Sequence, residues 1–362
     1  MQVHKITKKA ANHFQKALYA WAMLNPRPMP WKGEKDPYKI WLSEIILQQT
    51  RVEQGLPYFQ RFIKAFPTVH DLAKSPLQKV LKLWEGLGYY TRARNLHHSA
   101  QYIVDNHKGV FPDTFDSIKQ LKGVGEYSAS AIASFAYDLP YAVLDGNVHR
   151  ILARFFGIST ILSTSDGKKL FKSIADLLLD PEAPARYNQA IMDFGALCCI
   201  PKAPLCSHCP LQKSCFAYVH KMVDQYPTPK KRIEKKIRYF HYFVLLDELG
   251  NICIQQRLRG DIWAELFEFP MIENQSTEFP SSTERKSLPL KKVANRVPNL
   301  ILTQVLSHQV IKAYVYFYKI SSLHPTSISI PSNKLYKIPM PGLLAKNRKS
   351  ILKIIESIKA LI

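Results

Sequence analysis

The chain has 362 residues, with 50 Lys and Arg against 28 Asp and Glu, a formal charge of +22. This length predicts about two domains, and a hydrophobic content of 46% excludes a disordered chain. The excess of positive charge points to a polyanionic partner, nucleic acid ahead of an acidic membrane surface.

No transmembrane span is expected. The longest run without a charge, Val297–Ile311, contains Gln304, Ser307, His308 and Gln309, and a bilayer takes about 20 apolar residues. The N-terminus is basic without an apolar core or small-residue cleavage site, so the expectation is cytoplasmic, nucleoid-associated residence rather than secretion. Apolar residues three and four apart predict helices over His13–Leu24, Ile40–Phe59, Pro76–Leu87, Tyr90–Asn106, Phe115–Leu121 and Glu126–Tyr137. The segment YPTPKKRIEKKIR (226–238) then reads as a solvated basic linker. Beyond it the periodicity shortens. Tyr239–Leu246, Ile252–Arg257 and Ala313–Ile320 read as strands, the first two joined in a hairpin across DELGN. The tail Lys346–Leu361 returns to helix, with Ile351, Ile354, Ile355, Ile358 and Leu361 on one stripe. The fold class is therefore multidomain: an all-helical domain over 1–225, the linker, and a smaller α+β domain over 239–362.

Five of six cysteines fall between Cys198 and Cys215, a local cluster and not a disulfide framework. Cys199, Cys206, Cys209 and Cys215 are spaced C-x6-C-x2-C-x5-C. Four soft thiolates suit an iron–sulfur cluster or zinc, and a single C-x2-C pair in place of two favours the cluster. Cys198 and Cys253 read as small buried hydrophobes.

Three further segments carry chemistry. In LKGVGEYSASAIASF, Gly123 and Gly125 allow a tight hairpin whose amides meet an anion at a helix start, although a plain interhelical turn has the same composition. Asp145, in VLDGNV, stands between an apolar run and a helix start, suited to an N-cap and to a catalytic carboxylate. Glu44 lies among Trp41, Leu42, Ile45, Ile46 and Leu47. Turned inward it suits a general acid near neutral pH; turned outward it is a solvated surface group. Gln48 and Gln49 add amide donors one turn on. In WEGLGYYTRARN, tyrosines beside Arg92 and Arg94 suit a wedge between bases with arginines on phosphates, and core packing of one tyrosine reads equally well.

Together WLSEIILQQT, EGLGYYTRARNL, LKGVGEYSASAI, VLDGNVHRILAR and the cysteine loop, in this order from Trp31 to Cys215, resemble the helix–hairpin–helix DNA glycosylases that carry an iron–sulfur cluster. More narrowly they resemble the MutY-type adenine DNA glycosylases. The resemblance implies a helix–hairpin–helix at 121–134 and a [4Fe–4S] cluster held in the 199–215 loop by Cys199, Cys206, Cys209 and Cys215. It implies Glu44 as the acid protonating N7 of a flipped adenine, Asp145 stabilising the sugar cation, Tyr127 supporting that aspartate and Asn147 positioning groups nearby. Gln49 and Tyr89 occupy the positions that wedge into the base stack, and Gly123 and Gly125 the DNA-binding hairpin. Tyr127 replaces the lysine nucleophile of endonuclease III-type relatives, so base removal without strong strand cleavage is expected.

The C-terminal half is similar to the family's Nudix-like recognition domain, through IQQRLRGDIWAELFEFP and through LSHQV, where Ser307 and His308 would read 8-oxoguanine. Leu306 stands where the family usually has an aromatic, and Lys32 where it commonly has Arg. No carboxylate cluster follows Gly260, so nucleotide hydrolysis is not expected. The implied partner is double-stranded DNA containing A·8-oxoguanine or A·G mispairs, bound by a monomer. Two other readings stand beside it: a glycosylase–lyase for oxidised pyrimidines, and a non-catalytic DNA-binding protein.

Overall fold

The computed structural model describes residues 7–229, 234–286, 288, 290, 296–321 and 328–360. Residues 230–233 of the basic linker and Leu361 of the C-terminal stripe lie outside the described residues. The chain divides into two compact units, Met1–Ala73 with His98–Lys231, and Lys74–His97 with Arg232–Ile362. The second unit thus takes in a segment from the middle of the helical half of the sequence.

In chain order the helices are α1 (Lys8–Leu24), α2 (Pro37–Leu47), α3 (Val52–Ala65), α4 (Val69–Lys74), α5 (Leu77–Trp84), α6 (Thr91–His107), α7 (Phe115–Lys119), α8 (Glu126–Tyr137), α9 (Gly146–Phe156), α10 (Ser165–Leu178), α11 (Pro184–Leu197) and α12 (Phe216–Val219). Among the described residues no helix is long and apolar enough to cross a membrane. The core of the first unit gathers Phe14, Leu18, Ile151, Phe171 and Phe194 from α1, α9, α10 and α11. In α8 every residue from Ser128 to Ser134 is buried, and all but Ile132 are Ser or Ala; α2 and α11 both pack against this helix. α2 is buried on nearly every side from Tyr38 to Ile46, and Glu44 is carried inward with it.

The single helix expected over Ile40–Phe59 is two helices. α2 stops at Leu47, Gln48 leaves helical geometry and Gln49 takes a left-handed φ of 56°. Local propensity is overridden by tertiary bonds. The Gln48 amide donates to Ser128 Oγ at 3.0 Å and to the Gly123 carbonyl at 3.4 Å, which ties the break to the helix–hairpin–helix segment.

The second unit holds strands β1 (Lys236–Leu246), β2 (Asn251–Gln256), β3 (Phe267–Glu268), β4 (Met271–Asn274), β5 (Leu300–Val305), β6 (Gln309–Lys319) and β7 (Ile328–Pro331), and helices α13 (Gly342–Lys346) and α14 (Arg348–Lys359). The sheet runs β3-β2-β1-β6-β5, with β4 also on β1 and β7 on β2. β1 and β6 are parallel, Lys236 opposite Gln309 through Leu246 opposite Lys319. Phe240–Leu246 is buried throughout, as a central strand covered on both faces requires. The hairpin expected across DELGN is present, with Leu246 opposite Ile252. Ile351 and Ile355 of α14 are buried, as its stripe predicts. In the segment following β2, Arg257 reaches both carboxylate oxygens of Glu268 at 2.8 and 2.9 Å, and Arg259 pairs with Glu265 at 2.7 Å. These carboxylates are consumed in ion pairs.

Candidate active site

Glu44 is 7% exposed and so faces inward. It lines a cavity of about 1120 Å³ together with Tyr127, Asp145, Asn147, Gln49 and Gly125. The Tyr127 hydroxyl donates to the Glu44 carboxylate. Burial pushes the Glu44 pKa up to about 7, the neighbouring Asp145 charge adds to that, and the Tyr127 bond opposes it. Tyr127 itself is raised well above the usual phenol range, by burial first and then by the two carboxylates, so it stays a hydrogen-bond donor.

Asp145 is a helix cap that also faces the cavity. It is the N-cap of α9, its Oδ1 accepting from Val148 N at 2.7 Å, and it opens on the cavity. Its other oxygen accepts from Asn147 Nδ2 at 2.8 Å. Burial raises its pKa, and the Val148 and Asn147 bonds hold it back. Asn147 is held in turn by Arg150, whose NH2 donates to Asn147 Oδ1 at 2.9 Å while its Nε donates to the Cys199 carbonyl at 2.7 Å.

The sequence missed several cavity-building groups. Asn188, fully buried on α11, accepts from Val143 N at 3.1 Å and donates to Ser134 Oγ and the Tyr141 carbonyl at 2.8 Å, which fixes the segment leading to Asp145. Asp193 lies against Lys32 at 2.9 Å and Arg27 at 3.6 Å on the cavity wall. Both sit on an ordinary amphipathic helix, where no local pattern marks them. Lys32 therefore spends its charge on a buried carboxylate.

The cysteines do not line the cavity. Burial and the neighbouring thiols both raise the pKa of Cys206 and of Cys215. Arg154 NH1 is 3.5 Å from Cys199 Sγ. Cys198, set outside the motif by spacing, is buried and shares a hydrogen bond with Cys209. As the side chains stand, no three His, Cys, Asp or Glu among the described residues form a group that would hold a metal ion. The donor set still fits a cationic iron group, because Cys206, Cys209 and Cys215, each with its pKa raised, need a positive centre to become thiolates, and Cys199 completes a set of four soft sulfur donors.

Within the second unit, Tyr89 and Ser307 are brought together: the Tyr89 hydroxyl is hydrogen-bonded to Ser307 Oγ. Tyr89 is 47% exposed with a left-handed φ of 49°, whereas Tyr90 is buried. Ser307 and His308 form the exposed tip between β5 and β6, where the His308 carbonyl accepts from Lys236 N at 3.2 Å. Arg92 and Arg94, expected on phosphates, are structural instead. Arg92 is buried against the Trp84 ring and donates to the Gly88 carbonyl at 3.2 Å, and Arg94 donates to the Ala264 carbonyl at 2.9 Å. Gly123, with φ 86°, and Gly125 are exposed ahead of α8, whose N-terminus has no side-chain cap.

Residues 42–176 match the HhH-GPD superfamily of base excision DNA repair proteins. The adenine DNA glycosylase of Buchnera aphidicola subsp. Acyrthosiphon pisum (strain APS) is 40% identical over 276 residues, 75% of this chain and 78% of the relative. The chain belongs to the adenine DNA glycosylases. A second relative of that name, from Buchnera aphidicola subsp. Baizongia pistaciae (strain Bp), is 38% identical over 74% of this chain and 75% of its own length. Among solved structures, a thermostable thymine-DNA glycosylase superposes with a TM-score of 0.55 at 26% identity, covering 59% of this chain and 98% of its own. The superfamily match spans Glu44, Tyr127, Asp145 and Asn147, and ends before the cysteine loop. The enzyme is thus a hydrolase of N-glycosidic bonds.

Proposed function

We propose that the enzyme removes adenine lying opposite 8-oxoguanine or guanine in double-stranded DNA by hydrolysing its N-glycosidic bond, leaving the strand uncut. The observation that carries this reading is Glu44, a buried carboxyl group with a pKa of about 7 beside a second carboxylate in one cavity. Glu44 has a proton to give near neutral pH. It protonates N7 of an extrahelical adenine, the C1′–N9 bond breaks with its electron pair leaving on the base, and Asp145 opposes the charge developing on the sugar. Water then adds its oxygen to C1′ and returns a proton to Glu44. Tyr127 and Asn147 orient the two carboxylates. A phenol has no amine nitrogen and so forms no Schiff base with the sugar, which supports a monofunctional reaction.

Extruding a base costs about a few kcal/mol, least at a mispair. Gln49 and Tyr89, each exposed with a left-handed φ, are the residues that wedge into the stack in this reading, and the amides after Gly123 and Gly125 meet phosphate. Ser307 and His308 donate hydrogen bonds to 8-oxoguanine in a Nudix-like reader domain, while Leu306 adds no aromatic stacking. With a labelled A·8-oxoguanine duplex, strand breaks at the adenine are expected only after alkali. Breaks without alkali would establish the lyase reading, and no abasic site at all would remove both. His308→Ala is expected to lower the preference for A·8-oxoguanine over A·G about tenfold, the worth of one good hydrogen bond. An unchanged preference would assign recognition to other residues.

Cys199, Cys206, Cys209 and Cys215 would hold a [4Fe–4S] cluster, which when bound supplies a cationic clip for the 199–215 loop. Cys206→Ser is expected to lose the iron and the visible absorption of protein purified anaerobically. Stoichiometric zinc in the unsubstituted protein would overturn that assignment.

A further inference from the structure

Tyr89 is presented by a backbone turn that a local sequence cannot hold alone. Gly86, Gly88 and Tyr89 have φ of 94°, 83° and 49°, three positive values in four residues. The turn begins at Glu85, the residue that follows α5, and its carboxylate is clamped by residues from α14 and the segment before it. Arg348, at the start of α14, donates through NH2 to Glu85 Oε1 at 2.7 Å and through NH1 to Oε2 at 3.0 Å. Met340 N donates to Oε1 at 3.0 Å and Lys82 Nζ to Oε2 at 2.8 Å. The far side of the turn is tied to the same strut, since the Tyr90 hydroxyl accepts from Gly86 N at 3.2 Å and donates to the Met340 carbonyl at 3.3 Å. Trp84 Nε1 closes the turn onto the Gly88 carbonyl at 2.9 Å.

The Arg348 and Glu85 side chains are only 6% and 14% exposed. A two-pronged pair withdrawn from water fixes direction as well as distance, which a surface ion pair does not. Every contact named here lies within the second unit.

We infer that Arg348 and Glu85 are positioning residues for mispair discrimination: through this pair the C-terminal helix sets the turn that aligns Tyr89 with Ser307. The inference rests on the proposed role of Ser307 and His308 in reading 8-oxoguanine. Arg348 touches no DNA in this scheme. It acts by holding Glu85, hence the Gly86–Tyr89 turn, hence the phenol that meets the reader loop. Loss of the clamp lets the turn drift, and the wedge and reader no longer act in register.

The test uses the full chain and the ratio of kcat/KM for A·8-oxoguanine over A·G duplexes. Arg348→Met is expected to lower that ratio about fivefold, part of the cost of losing a buried charged partner. Arg348→Lys, which keeps the charge without the fork, should fall between. The Arg348→Met, Ser307→Ala double variant should be no worse in ratio than Ser307→Ala alone. A merely structural role would reduce the active fraction and both substrates alike, leaving the ratio unmoved. If Arg348→Met does not fold, Glu85→Gln makes the same measurement with shape retained. A ratio unchanged in the Arg348 and Glu85 variants, while Ser307→Ala lowers it, overturns the inference. A ratio unchanged in Ser307→Ala and His308→Ala overturns the mispair reading, and this inference with it.

Discussion

Replacing Glu44 by Gln is expected to lower single-turnover adenine excision by about 10²–10⁴-fold, the usual worth of a positioned general acid, with duplex binding changed little. Gln has the same shape and still accepts the Tyr127 hydrogen bond, so the lost element is the proton. In the unsubstituted enzyme the rate should fall as pH rises through about 7, because the carboxyl must be protonated to act. DNA phosphates raise that value further, so the fall lies at or above it. Stability supplies a second readout. A folded-state pKa raised from 4.5 to about 7 gives stability that is complete below the lower value and lost as pH rises through the higher one. At about pH 8 the buried carboxylate therefore costs about 3 kcal/mol that Gln does not incur, while at about pH 5 the difference is about 1 kcal/mol. The variant should be inactive and yet melt higher, more so in alkali. Full activity in Glu44→Gln, or equal melting gains at both pH values, would remove Glu44 from the acid role.

Glu44 was legible as a candidate, and its burial decides for the inward of the two orientations its sequence allows. A carboxylate inside an apolar helix breaks the binary pattern, and such breaks mark function. α8 was legible for a related reason: its glycine start and run of small residues leave one helical reading, and the helix spans Glu126–Tyr137 as expected. The break at Gln48 was not legible, since its partners Gly123 and Ser128 lie on a distant hairpin. Nor was the use of Arg92 and Arg94, for composition does not tell a phosphate-facing arginine from one satisfied by Gly88 and Ala264 carbonyls. The same holds for Glu85 and Arg348, 263 positions apart, whereas Cys198, read as a small buried hydrophobe, does lie buried in the core of the first unit. Local periodicity reports which face is buried. It does not report which distant polar group completes a buried one.

Asp145 poses a sharper problem, because capping and catalysis make the same sequence prediction. Two substitutions separate them. Asn and Ser are both good N-caps, so Asp145→Asn and Asp145→Ser should keep α9 capped to within about 1 kcal/mol. Neither carries the negative charge that opposes a sugar cation, and excision should fall by roughly 10²–10³-fold in both, the scale of a preorganised electrostatic group. The two should differ from each other in one respect. Asp145 accepts from Val148 N and from Asn147 Nδ2 at once, and Asn147 is committed to Arg150 through its own oxygen. An Asn side chain has a single oxygen, so capping Val148 turns its amide donor toward the Asn147 donor. Keeping the cap therefore requires Asn147 to flip, which leaves Arg150 without that acceptor. Ser has no second polar group to misplace. Asp145→Ser should therefore match or exceed Asp145→Asn in melting temperature while being no more active. If both variants excise adenine at near the original rate, Asp145 is a cap and nothing more. If Asn is inactive and Ser active, the defect is the crossed amide and not the missing charge.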